Sequence, residues 1–156
     1  MSAVTLDAIQ KRQAELAAMI QAFAAKAPAQ TLQIAAASID LAPGEHYAGT
    51  VLDDDGQLKH HLVLMADRPV GRLQWKEAIA WAEDVGGALP TRQEQALLFA
   101  NCKAHIEPTW YWSSEIYEDN DTYAWCCTFS LGYQGSSLQS AEGAAVAVRL
   151  IPLETP

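Results

Sequence analysis

The chain has 156 residues, half of them hydrophobic, and a formal net charge of −9 from 19 acidic and 10 basic residues. That length suits one domain with an appendage, and the apolar fraction supports a packed core rather than disorder. The acidic balance excludes a surface that tracks phosphates, which needs clustered Lys and Arg, so nucleic acid is not an expected partner.

No run approaches the ~20 consecutive apolar residues of a membrane helix, so no membrane association is expected. The N-terminus shows no basic stretch followed by an apolar one, so no signal peptide is expected either. The cysteines are Cys102, Cys126 and Cys127. Their number is odd, and the adjacent pair falls in a predicted strand, where the two side chains point to opposite faces. Neither a disulfide framework nor a metal-ligand spacing follows, so reduced, partly buried thiols in a reducing compartment are expected.

Residues Thr5 to Ala27 read as a helix, with Asp7 in the first turn, where the helix dipole favours a negative charge, and Pro28 as the stop. Leu6, Ile9, Gln13, Leu16, Ile20 and Phe23 alternate at spacings of three and four, which is a heptad seam. The seam lasts about two and a half heptads, shorter than the three to four of an unambiguous coiled coil. Gln13 would fix register and oligomer number at some cost in stability. Flanking alanines widen the apolar face. The helix either associates with copies of itself or a larger assembly, or folds back on its own domain; a linker-like Pro28 to Thr31 favours association.

The expected organisation is an association helix over 1–28, a linker and first strand over 29–43, and a domain over 44–156. The first strand is placed at 31–39, and Pro43-Gly44 marks a turn. Strands at His46 to Leu52 and Leu58 to Met65 flank Asp53-Asp54-Asp55-Gly56, a hairpin signal. These aspartates lack the spaced ligands and closing Glu of an EF-hand, so a solvated hairpin tip is expected.

Trp75 to Val85 is an amphipathic helix with Trp75, Ile79 and Ala82 on one face, ended by Gly86-Gly87. Thr91 and Glu94 form a capping box that opens a second helix running to about Lys103. Four strands follow: Tyr111 to Glu115, Tyr123 to Ser130, Tyr133 to Leu138 and Ala145 to Ile151. Polar loops separate them. Strands, two helices, then strands give an α+β domain with a mainly antiparallel sheet.

Several short patterns occur in a fixed order. A Trp helix ending in Gly-Gly precedes Leu-Pro-Thr-x-x-Glu (89–94), then Tyr-Trp-Ser-Ser-Glu (111–115). Ala124-Trp125, Phe129 with Gly132, and Ala-Val-Arg-Leu-Ile (147–151) follow. This arrangement, over residues 44–151, resembles the C-type-lectin-like domain at the C-terminus of a bacterial collagen-like adhesin and in many prophage-encoded proteins. It is distantly similar to the lectin fold of the phage major tropism determinant.

The resemblance implies a non-catalytic recognition module, phage or prophage encoded and tail-associated, that binds a protein or glycan receptor. Its expected place is the bacterial cytoplasm or the phage virion. It places Trp112, Trp125 and Phe129 in the packed framework, with a sugar-stacking platform as the alternative role. By the same likeness the ligand face is Tyr117, Asn120, Asp121, Tyr123, Tyr133, Gln134, Ser136, Ser137 and Gln139. Tyr, Ser and Asn suit an adaptable binding surface. The chain departs from animal lectins in lacking their disulfides and their calcium-and-sugar motifs; Glu107-Pro108-Thr109 only grazes one of these. Calcium at Glu118 to Asp121 is left open.

Arg149 lies in an apolar strand and needs a carboxylate partner, for which Glu115 and Glu94 are candidates. No enzyme is expected, and no catalytic residue, metal or cofactor is assigned. His46, His60, His61 and His105 form no motif, and no HExxH, nucleophile elbow or phosphate loop occurs. A competing reading is a small acidic intracellular phage protein that binds and modulates a host protein, its charge steering it to a basic partner.

Overall fold

A computed structural model describes residues 5–26, 34 and 36–153. They fall into two units that divide between Gln33 and Ile34. The first is helix α1, Leu6–Ala24. Thr5 caps it, its hydroxyl accepting the Ala8 N–H at 3.3 Å, and Ala25 closes it. The helix thus ends before Ala27; Ala27 and Pro28 lie outside the described residues. None of its residues is buried, and Leu6, Ile9, Leu16, Ile20 and Phe23 are all exposed, as is Gln13.

The second unit is α+β. It comprises β1 (His46–Leu52), β2 (Leu58–Leu64), α2 (Trp75–Asp84), α3 (Arg92–Cys102), β3 (Trp110–Ile116), β4 (Tyr123–Thr128), β5 (Tyr133–Leu138) and β6 (Val148–Pro152). A 3-10 turn, Lys103–His105, follows α3. One antiparallel sheet has the order β1-β2-β6, the other β3-β4-β5. Among the described residues no helix is long and apolar enough to cross a membrane.

The strand expected at 31–39 does not form where it is described: Ile34 and Ala36–Ile39 are irregular, and 31–33 and 35 lie outside the described residues. Alanine has little β propensity, and among the described residues no strand pairs with Ala36 or Ala37. Arg149 ties down the end of this stretch instead, donating to the Asp40 carbonyl at 3.0 Å.

The hairpin tip is held by Asp53, whose carboxylate accepts the N–H groups of Asp55 and Gln57 at 3.0 and 2.9 Å. In α2 the buried residues are Trp75, Ala78 and Ala82, while Ile79 is only partly buried, so the inner face is rotated toward Ala78.

Residues 143–148 join the two sheets. They bond to Trp110 and Trp112 on β3, to Met65 at the end of β2, and to Ala88 before α3. The strand expected from Ala145 therefore begins only at Val148, because the preceding residues serve both sheets. Side chains here alternate between two cores. Val146 and Val148 join Leu62, Leu64, Leu98, Tyr111, Cys127 and Phe129. Ala145 and Ala147 join Trp75, Ala78, Ala82, Leu89, Trp112 and Ala124. The adjacent cysteines do the same: Cys127 sits in the first core and Cys126 packs on the second.

Trp112 is fully buried, its indole N–H donating to the Leu73 carbonyl at 2.8 Å. Trp110 and Trp112 meet edge to face at 4.9 Å and lie against Gly143, where a Cβ would come within 2.8 Å of the Trp112 indole nitrogen.

Candidate functional site

The site grows from an irregularity in β3. Trp112 pairs with Cys126 and Ile116 with Ala124, so Ser113, Ser114 and Glu115 together face the single residue Trp125. A bulge of this kind bends a strand and re-aims its side chains. The Ser114 N–H turns to the Pro90 carbonyl at 2.8 Å. Glu115 reaches the first turn of α3 and accepts the Arg92 N–H. A carboxylate is favoured there by the helix dipole.

Arg92 is thereby fixed at the start of α3, and its side chain crosses to β4. The guanidinium carbon lies 3.5 Å from the centre of the Trp125 ring. Gln134 on β5 clamps Arg92 twice, accepting from its side chain at 3.1 Å and donating to its carbonyl at 2.7 Å. The Trp125 indole donates to Glu118 at 2.6 Å, and Glu118 also stands 3.9 Å from Arg92. Tyr117 meets the Trp125 ring edge-on at 5.0 Å.

Electrostatics follow from these bonds. The backbone N–H of Glu118 and the Trp125 indole hold the Glu118 carboxyl below the usual range. A hydrogen bond to Asp119, with its charge, pushes the Tyr117 phenol up.

Trp125 is therefore half-buried at the surface, not in the packed framework; Trp112 and Phe129 are the framework members. Opposed residues share a face, so Tyr123, Trp125, Cys127, Gln134, Ser136 and Leu138 stand on one face, of which Cys127 is buried in the first core while Trp125 lies farther along the strand, toward the β3–β4 turn. Tyr133 and Ser137 share the opposite face with Ala124 and Cys126. The expected ligand residues are thus divided. Tyr123, Gln134 and Ser136 join Trp125, with Tyr117 beside it.

Asn120, Asp121 and Gln139 hold the β3–β4 turn and its neighbour. Asn120 accepts from Thr122 at 3.1 and 2.7 Å, and Gln139 donates to the Asp121 and Tyr123 carbonyls at 2.7 and 3.2 Å. Sequence reasoning missed Arg92, Glu118 and Leu138 as members. Leu138 was within reach, because it shares the register of Tyr123; Arg92 was not, since it meets Gln134 across 42 positions.

Other polar groups are engaged elsewhere. Arg149 pairs with Glu45 at 2.7 Å, not with Glu115 or Glu94. Those two were already committed, Glu115 to Arg92 and Glu94 to Thr91 and to His60 at 2.9 Å. His61 lies on the other face of β2, its Nδ1 3.0 Å from the Tyr47 hydroxyl and 3.2 Å from that of Thr50. His46 stacks on His105 at 3.4 Å. Among the described residues no group of three or more His, Cys, Asp or Glu is placed to hold a metal ion.

No protein-family model matches the chain, and no curated protein matches it.

Proposed function

We propose that this chain is a non-catalytic recognition module with a C-type-lectin-like domain, which binds a protein or glycan receptor through the Trp125 face. The observation that carries this reading is Trp125 itself: a large aromatic left at the surface and held in one orientation by Arg92, Glu118 and Tyr117. Aromatic side chains with fixed geometry supply contact area at low entropic cost, and Arg beside Trp is a frequent centre of binding energy. Ser136 and the exposed Leu138 extend the face with polar and apolar contacts.

The non-catalytic reading rests on where the reactive groups stand. Burial pushes the thiols of Cys102, Cys126 and Cys127 up, away from the reactive thiolate form. The phage or prophage setting rests on the ordered motifs, and multivalency on the apolar stripe of α1. Association through that helix would turn weak single-site binding into useful avidity.

The test is binding to a glycan array and to bacterial cells by the full chain, by Trp125→Ala, and by Asp54→Ala at the hairpin tip as a control. Loss of binding in Trp125→Ala alone, with unchanged far-ultraviolet circular dichroism and a retained cooperative thermal transition, is expected. Equal binding by all three proteins would overturn the reading.

A further inference from the structure

A cavity of about 440 Å³ opens at the start of β3, away from the bulge that carries the Trp125 face. That volume lies within the range of small-molecule sites, roughly 300–1,000 Å³. Buried Tyr111 and Ala145 form its apolar part, and Arg68, Arg72, His105 and Glu107 are exposed around it.

Two cations in one cavity are unexpected on a chain of net charge −9. Among the described residues neither arginine belongs to an ion pair; the arginines that do are Arg92, with Glu118, and Arg149, with Glu45. Both are nevertheless held in place. Arg68 donates to the carbonyls of Met65 and Asp67 at 2.7 Å each and of His105 at 3.3 Å. Arg72 donates to the Thr109 hydroxyl at 2.7 Å and lies 5.7 Å from the Trp110 ring centre. A guanidinium has five N–H donors, so both arginines keep donors to spare. Holding them cost side-chain entropy without an ion pair in return, as expected where an anion is to be received.

We infer that this cavity is a binding site for a small organic carboxylate, received by Arg68 and Arg72 with its hydrocarbon body on Tyr111 and Ala145. The charge of the lining favours a monoanion. Among the lining residues Arg68 and Arg72 outnumber Glu107 by one charge, and the acidic surroundings, Asp67 beside Arg68 included, repel a dianion. The planar fork of Arg matches a carboxylate in bidentate fashion. The apolar surface beside it favours an organic anion over an inorganic one.

Benzoate, its neutral isostere benzamide and inorganic phosphate discriminate the possibilities. Binding to the full chain is followed by isotope-edited NMR and by thermal midpoint, which a ligand of the native state raises. Benzoate is expected to bind saturably, to shift Arg68 and Arg72 side-chain signals, and to bind at least about tenfold more tightly than benzamide, as a charge-assisted bond warrants.

Arg72→Gln should weaken benzoate by a similar factor while leaving the fold intact, because Arg72 is exposed and holds the Thr109 hydroxyl and the Trp110 ring from outside the core. Lys59→Gln, exposed on β2 and outside the cavity, should leave benzoate affinity unchanged. Equal affinity for benzoate and benzamide, no saturable benzoate binding, tighter binding of phosphate, or unchanged affinity in a folded Arg72→Gln protein would each overturn the assignment.

Discussion

Arg92 lies with its guanidinium carbon 3.5 Å from the centre of the Trp125 ring, and Gln134 holds it there from the neighbouring strand. The first residue of a helix thus meets the middle of a strand, and both meet the loop through Glu118. A cation over an indole at a partly exposed site is worth about 0.5–1 kcal/mol. A double-mutant cycle of Arg92→Ala and Trp125→Ala, read by chemical denaturation, should return a coupling of that size. A coupling indistinguishable from zero would mean that the contact does not orient the ring.

Glu94 serves two structures at once. One carboxylate oxygen caps the Thr91 N–H at 2.8 Å and the other meets His60 at 2.9 Å, in a site where Glu94 is 3 % exposed. Losing a buried hydrogen bond to a charged group costs about 1.5–3 kcal/mol, and loss of a cap adds about 1 kcal/mol. Glu94→Ala should therefore lower stability by at least about 2 kcal/mol, read by urea denaturation. A loss below 1 kcal/mol, on the order of a surface change, would refute the assigned role.

The Glu45 carboxyl is held below the usual carboxylate range, first by its hydrogen bond from Arg149. A depressed folded pKa contributes stability that is complete above the unfolded value and lost as pH falls through the folded one. Stability should therefore decline from pH 4.5 downward in part through this pair. Glu45→Gln should flatten that limb of the curve while lowering stability at neutral pH. The same acid limb in both proteins would assign the decline to other carboxyls.

Burial pushes the Cys127 thiol up to about 11, and those of Cys102 and Cys126 above their usual value. A raised folded pKa contributes stability below the unfolded value of 9 that is lost as pH rises through 11. At pH 8 the native chain should therefore react with iodoacetamide far more slowly than the urea-unfolded chain, and alkali above pH 9 should destabilise it. Labelling of the native protein at the unfolded rate would contradict this packing.

The exposed apolar stripe of α1 carries one polar position, Gln13. If the stripe is an interface between copies, Gln13→Ile should raise oligomer stability or change subunit number in light scattering of the full chain. Unchanged mass and unchanged dissociation would remove the coiled-coil idea.

Much of the fold was legible in the residues. The Asp-Gly hairpin, the Thr91–Glu94 box and the β5 strand stand where local rules put them, because turn chemistry and caps act over a few residues. The failures lie where distant segments compete. Residues 145–147 were read as strand, yet they lie between Ala144, which bonds to β3, and Ala147, whose carbonyl accepts from Met65 at the end of β2. Arg149 was matched with buried carboxylates by charge alone, while Glu45, which reached it, was not weighed.

The Trp125 face was half legible. Its polar types were visible, but not the bulge opposite Trp125, since Ser113, Ser114 and Glu115 look like any strand.

Residues 145–148 set the volume of two compartments at once, alanines filling one side and valines the other. Deleting one residue there would trade a valine for an alanine on both sides, leaving one compartment overfilled and the other with a void. This stretch therefore tolerates a change of neither side-chain size nor length.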